Sequence, residues 1–458
     1  MKPAARTFWK KARLLLLLLL IIGIAIQFFR PKLDNPPVTG DLKAPAEVKA
    51  ILQRACYDCH SNETHLAWFD QPAPAYWLVV DHVKEGRKVL NFSNWDSMPK
   101  AVQAGKLYES LNQIEYGVMP LSQYTAFHHG GRISADEIAV LRRYLLSLTP
   151  KWMPDTAKQQ ASLDQYGKWL KAFPVPASSV STSASAAVRD EYNGIGYREL
   201  AGFRDWTAIS TTERFDNGTL RLILGNAVAR QAIREGHTNP WPNGSVFAKV
   251  AWDQLPDSTG EIHAGAYKQV EFMIRDSEKY ASTKGWGWAR WVGGLALKPY
   301  GKDASFSTEC INCHKPMTSN DQVFTFPIAD TFSLYNQAAS LPDTVGSHPL
   351  TGKVITSFVN SREGTMSTLY GNDAAVKAAR TGQAYPAETV VSLVTWSQKD
   401  DHHWFGGRIP NAVRSIEVIS ESTYSYYDGE TRIKKTMTPA EIQTRIKYIT
   451  ALKASVMP

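Results

Sequence analysis

Cysteine is scarce in this chain, four residues among 458. A disulfide-stapled scaffold is therefore not expected, and a chain of this length needs no staples to bury a core. Acidic residues are missing from the first thirteen positions, which instead hold Lys2, Arg6, Lys10, Lys11 and Arg13. Those five account for most of the formal net charge of +8 and leave +3 for everything after them. With no basic excess in the main body, nucleic acid is not an expected partner. The long apolar run, Leu14 to Phe29, follows the basic segment directly. No small-x-small cleavage site comes after it; the chain continues Phe28-Phe29-Arg30-Pro31-Lys32. This predicts an uncleaved anchor over residues 1–30 rather than a removed signal. Its basic end would stay cytoplasmic and the rest would lie outside the inner membrane, in a bacterial periplasm.

What cysteine there is falls entirely into two copies of Cys-x-x-Cys-His, Cys56-Tyr57-Asp58-Cys59-His60 and Cys310-Ile311-Asn312-Cys313-His314. This is the attachment signature of c-type haem. Two thiols three apart on one turn can each add to a vinyl group, and the following histidine is delivered beneath the iron. Zinc would want its ligands paired within one small module, and a redox dithiol has no need of the histidine. The expectation is two covalently bound c-type haems, held by Cys56 and Cys59 and by Cys310 and Cys313. His60 and His314 are the expected iron ligands.

Composition divides the rest. A proline-rich spacer covers 31–44, and a Pro/Ser/Ala linker at 174–187 lies in a connecting segment, 151–187. Between them, 45–150 reads as helical: Val48, Ile51, Leu52 and Ala55 recur at helical spacing, and Ser134 with Glu137 forms a capping box. After the linker come β-rich runs, Ser245–Trp252 and Val270–Arg275, with a helix over Asn226–Glu235 ahead of them. That unit occurs twice. Trp241-Pro242 … Trp252 and Tyr385-Pro386 … Trp396 share their spacing without a gap, and Leu224-Gly225-Asn226 answers Tyr370-Gly371-Asn372. Such self-similarity implies a duplicated domain. The second copy, about 340–425, has Leu393 where the first has Lys249, and it has no cysteine. Thr438 and Glu441 cap a final helix.

Two resemblances follow. Residues 45–150 resemble the small haem-binding domain of bacterial multi-haem proteins, through CYDCHSNET at 56–64, HVKEGRKVLNFSNW at 82–95 and MPLSQYTAFHH at 119–129. The resemblance implies one c-type haem and an electron-carrying role. The far-side iron ligand is read as Met119, in a turn before Pro120, where a thioether would raise the potential; His82 is the rival.

Residues 188–328 resemble the cytochrome P-460 family, which includes cytochrome c′-beta. The match lies in LILGNAVARQAIREG at 222–236, NPWPNGSVFAKVAW at 239–252 and CINCH at 310–314. It implies an antiparallel sheet packed with helices around one c-type haem, five-coordinate through His314. It also implies oxidation of hydroxylamine or related nitrogen species, and a lysine bonded to the macrocycle, which falls on Lys249. Glu271 is a proposed proton acceptor, with Asp276 and Glu278 comparable, and Phe247 a proposed pocket-lining residue.

The expected fold class is multidomain α+β: an anchor helix, a mainly helical haem domain, then two successive sheet-plus-helix domains (188–328 and 329–458), the second without haem. Expected partners are a small nitrogen substrate, a redox cytochrome or quinone-linked acceptor, and the inner membrane. A homodimer is kept open. The alternative is a dihaem protein that binds nitric oxide or carries electrons without turnover.

Overall fold

The computed structural model describes residues 3–149, 153–172, 191–192, 195–300, 305–328, 336–341, 348–421, 423–431 and 433–458. The linker expected over 174–187 lies outside the described residues. The chain divides into two compact units, Met1–Thr149 and Pro150–Pro458.

The first unit opens with α1 (Pro3–Ala25). Lys11–Phe28, of mean hydropathy 2.1, is long and apolar enough to cross a membrane. Its end is joined to the haem-motif region: Gln27 Nε2 donates to Ala73 O (3.1 Å), and Ala73 N donates back to Gln27 Oε1 (2.8 Å). Arg30 bonds Gln71, and Trp77 Nε1 donates to Phe29 O at 2.5 Å. The proline-rich spacer lies along this unit. Arg87 donates to Asp34 O, Asn62 to Pro37 O and Gly40 N to Ser93 O. Proline has no N–H of its own, so the carbonyls here are taken by side chains of the helical region.

Helix α2 (Ala46–Ala55) buries Val48, Ile51, Leu52 and Ala55, the periodicity seen in the sequence. It runs into α3 (Tyr57–His60), which carries the first motif. Then follow α4 (Ala75–Val89), α5 (Lys100–Glu115) and α6 (Ala135–Leu148). The Ser134–Glu137 capping box starts α6, whose Leu141 and Leu145 are buried. Each such buried aliphatic side chain stabilises by about 1.5–3 kcal/mol.

In the second unit the first copy supplies β1 (Thr207–Arg214), β2 (Thr219–Gly225), α7 (Ala227–Glu235), β3 (Val246–Pro256), β4 (Glu261–Arg275), β5 (Trp286–Val292) and α8 (Ser305–His314). The second copy repeats the order with β6 (Lys353–Asn360), β7 (Thr365–Gly371), α9 (Asp373–Thr381), β8 (Val390–Asp400), β9 (Gly407–Ser420), β10 (Thr423–Asp428) and α10 (Pro439–Ala451). The likeness extends to single bonds. Asn226 caps α7 by accepting from Ala229 N at 3.0 Å, and Asn372 caps α9 by accepting from Ala375 N at 3.0 Å. Both helices end on a left-handed glycine, Gly236 (φ 73°) and Gly382 (φ 66°), a conformation that costs other residues a Cβ clash.

The expectation of two successive sheet domains is corrected. All these strands belong to one 12-stranded sheet. β1 to β4 pair in sequence, β4 passes to β6, β6 to β9 pair in turn, and β9 returns to β1, closing a barrel. The junctions are short: Glu261–His263 against Phe358–Asn360, and Gly407–Arg408 against Glu213–Arg214. Each copy alone would expose two unpaired strand edges, and joining them removes both. One continuous core of Phe, Trp and aliphatic residues runs through both copies.

Candidate functional site

In the first unit, Cys56, His60 and Met119 line one cleft, together with Lys106, Gln113 and Ile114. His60 Nδ1 lies 3.1 Å from Gly86 O and 3.2 Å from Leu90 O, both at the end of α4. A carbonyl only accepts, so Nδ1 carries the proton and Nε2 keeps the lone pair that a metal needs. Burial lowers the proton affinity of His60, which favours the neutral ring. Gly86 is required by contact: a Cβ there would stand 2.7 Å from Cys59 O and 3.3 Å from His60 Cε1. Burial pushes the thiols of Cys56 and Cys59 up to about 12 and 11, which disfavours the thiolates that zinc would take. His82 lies on α4, the helix that holds His60 from its Nδ1 side, and is not among the residues lining the cleft.

In the second unit the register of β2 to β5 builds a charged patch on one sheet face. Ile223 pairs with Lys249, Lys249 with Glu271 and Glu271 with Arg290. Lys249 Nζ lies 2.6 Å from Glu271 Oε2, and Arg290 Nη2 lies 3.3 Å from the same oxygen. Gln269 Nε2 donates to the other carboxylate oxygen. Burial pulls the Lys249 ammonium down to about 8, with Glu271 opposing. Burial alone would raise Glu271, but Arg290, then Lys249 and Arg221, hold its carboxyl well below the usual range. A carboxylate so held stays charged at neutral pH. Asp276 caps the following turn through Glu278 N and Lys279 N. Phe247 packs edge-on to Trp241 at 4.8 Å and near Trp286 at 6.0 Å, within the aromatic core.

Helix α8 brings Cys310, Cys313 and His314 to β5. His314 meets Trp288 at 4.5 Å and Phe324 at 4.8 Å, and its Nδ1 bonds Gln322 O at 2.8 Å, again leaving Nε2 with its lone pair. Burial drives its pKa to about 4, with Lys249, Glu271 and Arg290 close enough to act on the ring electrostatically. Arg290 also interacts with Cys310. Lys249, Glu271 and the second motif thus share one site.

Arg290, Arg221, Trp288, Gln322 and Phe324 escaped the sequence reading. Arg290 does stand out as the charged residue in Trp286-Gly287-Trp288-Ala289-Arg290-Trp291, a signal that alternation alone could have flagged.

Comparison with known families agrees with this division. The model of a haem-binding domain matches residues 21–147. The cytochrome P460 model matches residues 200–325 and 351–430, the two copies of the barrel. No curated protein matches the chain. Those two segments therefore match the cytochrome P460 family, and a haem-binding domain is matched ahead of them.

Proposed function

We propose that this is a dihaem c-type cytochrome, tethered to the inner membrane with its domains in the periplasm, that oxidises hydroxylamine or a related nitrogen species at the His314 site. The carrying observation is that the Cys310–His314 helix and the Lys249–Glu271–Arg290 patch occupy one site. The residues present fit a covalently held haem at both motifs. Each offers two cysteines and a neutral imidazole whose Nδ1 is tied to a carbonyl. A haem at His314 would supply the redox centre and an open coordination position.

The chain's own residues then have separable roles. Gln322 O orients His314, and Trp288 and Phe324 exclude water from its ring. Lys249, pulled to about 8, has a neutral amine available near physiological pH, as a bond to the macrocycle or a proton transfer requires. Arg290 keeps Glu271 charged. At the first site Met119 shares the cleft with His60, in line with a closed, electron-carrying iron.

Nitric oxide binding or electron transfer without turnover is the second reading, and one observation favours it. Lys249 sits in an ion pair with Glu271 at 2.6 Å rather than standing unengaged. The two readings part on the mass of tryptic peptides from the haem-loaded chain. A Lys249 peptide joined to the Cys310/Cys313 haem peptide supports the enzyme. Lys249→Ala should then abolish hydroxylamine oxidation and shift the ferrous absorption band to the blue; an unchanged spectrum and rate would sink it. Carbon monoxide binding at His314 separates the enzyme and the nitric oxide-binding form of the second reading from its plain electron-transfer form.

A further inference from the structure

His314 is oriented by Gln322 O, and Gln322 belongs to a stretch without regular structure after α8. The position of that stretch depends on what grips it. Two residues on, the Phe324 ring stands edge-on to the imidazole (4.8 Å, 79°). Its carbonyl is bonded to His403 Nδ1 at 2.7 Å. The His403 ring meets Phe326 at 5.8 Å, and Trp404 meets Phe324 edge-on at 5.8 Å. His403 and Trp404 belong to the other copy of the barrel, in the hairpin between β8 and β9.

That hairpin is itself locked to the first copy. Trp404 Nε1 donates to Asp216 Oδ2 at 3.1 Å, and the Arg214 guanidinium lies 4.3 Å over the indole. Arg214 is paired with Asp216, both buried, and Asp216 N donates to Gly406 O at 3.2 Å. The equivalent hairpin of the first copy reads Asp257-Ser258-Thr259-Gly260, against Asp401-His402-His403-Trp404-Phe405-Gly406. The first copy's hairpin docks on the second by backbone and arginine contacts, Ser361 N to Gly260 O and Arg362 to Ser258 O. Of the two hairpins, the one with aromatic and imidazole groups is the one that meets the segment after His314.

We infer that His403 and Trp404 are positioning residues for His314, acting through the segment Gln322–Phe326. The haem-free copy thus completes the site of the copy that keeps its motif. The strength of the Nδ1–H bond to a carbonyl sets how basic the ligating imidazole is, and through that the iron potential. Releasing Phe324 O loosens the segment, weakens the Gln322–His314 bond and makes the ring a poorer donor to ferric iron. The inference rests on the reading that a haem is bound at His314.

The test uses the full haem-loaded chain, with haem counted by pyridine haemochrome and both potentials read by spectroelectrochemical titration. Cys310→Ala/Cys313→Ala identifies which potential belongs to the second site. His403→Ala should keep two haems, move that potential in the positive direction and leave the other unmoved. His403→Asn, which retains an N–H donor, should return it towards wild type. Trp404→Phe, the mildest change, should give a smaller shift of the same sign and serves if His403→Ala fails to accumulate. Unmoved potentials in His403→Ala and Trp404→Phe with two haems present overturn the inference. One haem in the wild-type chain overturns the His314 reading instead.

Discussion

The two copies of the barrel place a glutamate at the same point and treat it in opposite ways. Glu271 pairs across the sheet with Lys249, and Glu417 pairs with Leu393. In the first copy the carboxylate is neutralised from the sheet, by Lys249 on one neighbouring strand and Arg290 on the other. In the second copy, β8 offers no cation there. The helix that stands where α8 stands, α10, supplies Arg445, which grips Glu417 at 2.7 and 2.8 Å while Tyr424 donates at 2.5 Å. A buried carboxylate must be paired somewhere. Pairing it from the sheet leaves the helix free to carry cysteines and a histidine; pairing it from the helix uses the helix up.

The comparison is broken most severely at the cysteines. Cys310→Ala/Cys313→Ala should turn the first copy into a counterpart of the second, and the pyridine haemochrome assay should fall from two haems per chain to one. Next in size is Leu393→Lys. Leu393 is 1% exposed, and Glu417 opposite is already satisfied by Arg445. A charge buried there should cost on the order of 3–5 kcal/mol, read as a lower urea midpoint, and it should confer no hydroxylamine oxidation. Arg445→Met should cost about 3 kcal/mol, because Glu417 at 2% exposure then keeps only Tyr424 among the described residues. Arg290→Met should cost less, about 1–2 kcal/mol, since Lys249 still holds Glu271. Equal losses in the two variants would refute the idea that one carboxylate is doubly and the other singly charge-paired.

The last effect is a pH slope. Burial lowers Lys249 to about 8, whereas an unfolded lysine stays protonated to about 10.4. Between those values the unfolded chain holds more protons, so stability contributed by this site rises with pH; below about 8 the site gives no slope. In the Cys310→Ala/Cys313→Ala background, which holds no haem at the second motif, the stability gap over the same chain carrying Lys249→Met should move in favour of lysine between pH 8 and 10. The haem-loaded chain should lose that slope once Lys249 is bonded, which makes chemical denaturation against pH a second assay of the crosslink. A Leu393→Met control, having nothing to titrate, should be flat.

Much of this was legible in the chain because it is local. Val48, Ile51 and Leu52 declared their helix by period, Ser134 and Thr438 declared their caps, and Pro242 to Trp252 declared its repeat at Pro386 to Trp396. The barrel was not legible. Its closing contacts, Glu261–His263 with Phe358–Asn360 and Gly407–Arg408 with Glu213–Arg214, are brief cross-copy pairings that leave no periodic mark. Self-similarity announced two copies and could not say that they share one sheet. The same limit governs the site. Lys249 was named from its strand and Glu271 as a neighbouring carboxylate, but Arg290 reaches Glu271 only through the β4–β5 register. That register sets Arg290 beside the carboxylate that the sequence offered as a proton acceptor.

The joint between α1 and the first haem domain bears on reach. A free tether of some fifteen residues would let a domain roam about 20 Å. Here the reciprocal amide pairing of Gln27 with Ala73, and the proline-rich strand lying along the domain, remove that slack. With the apolar helix seated in a bilayer, the cleft of Cys56 and Met119 would ride at one fixed altitude above the lipid. A redox partner of the kind proposed would then have to make up the distance.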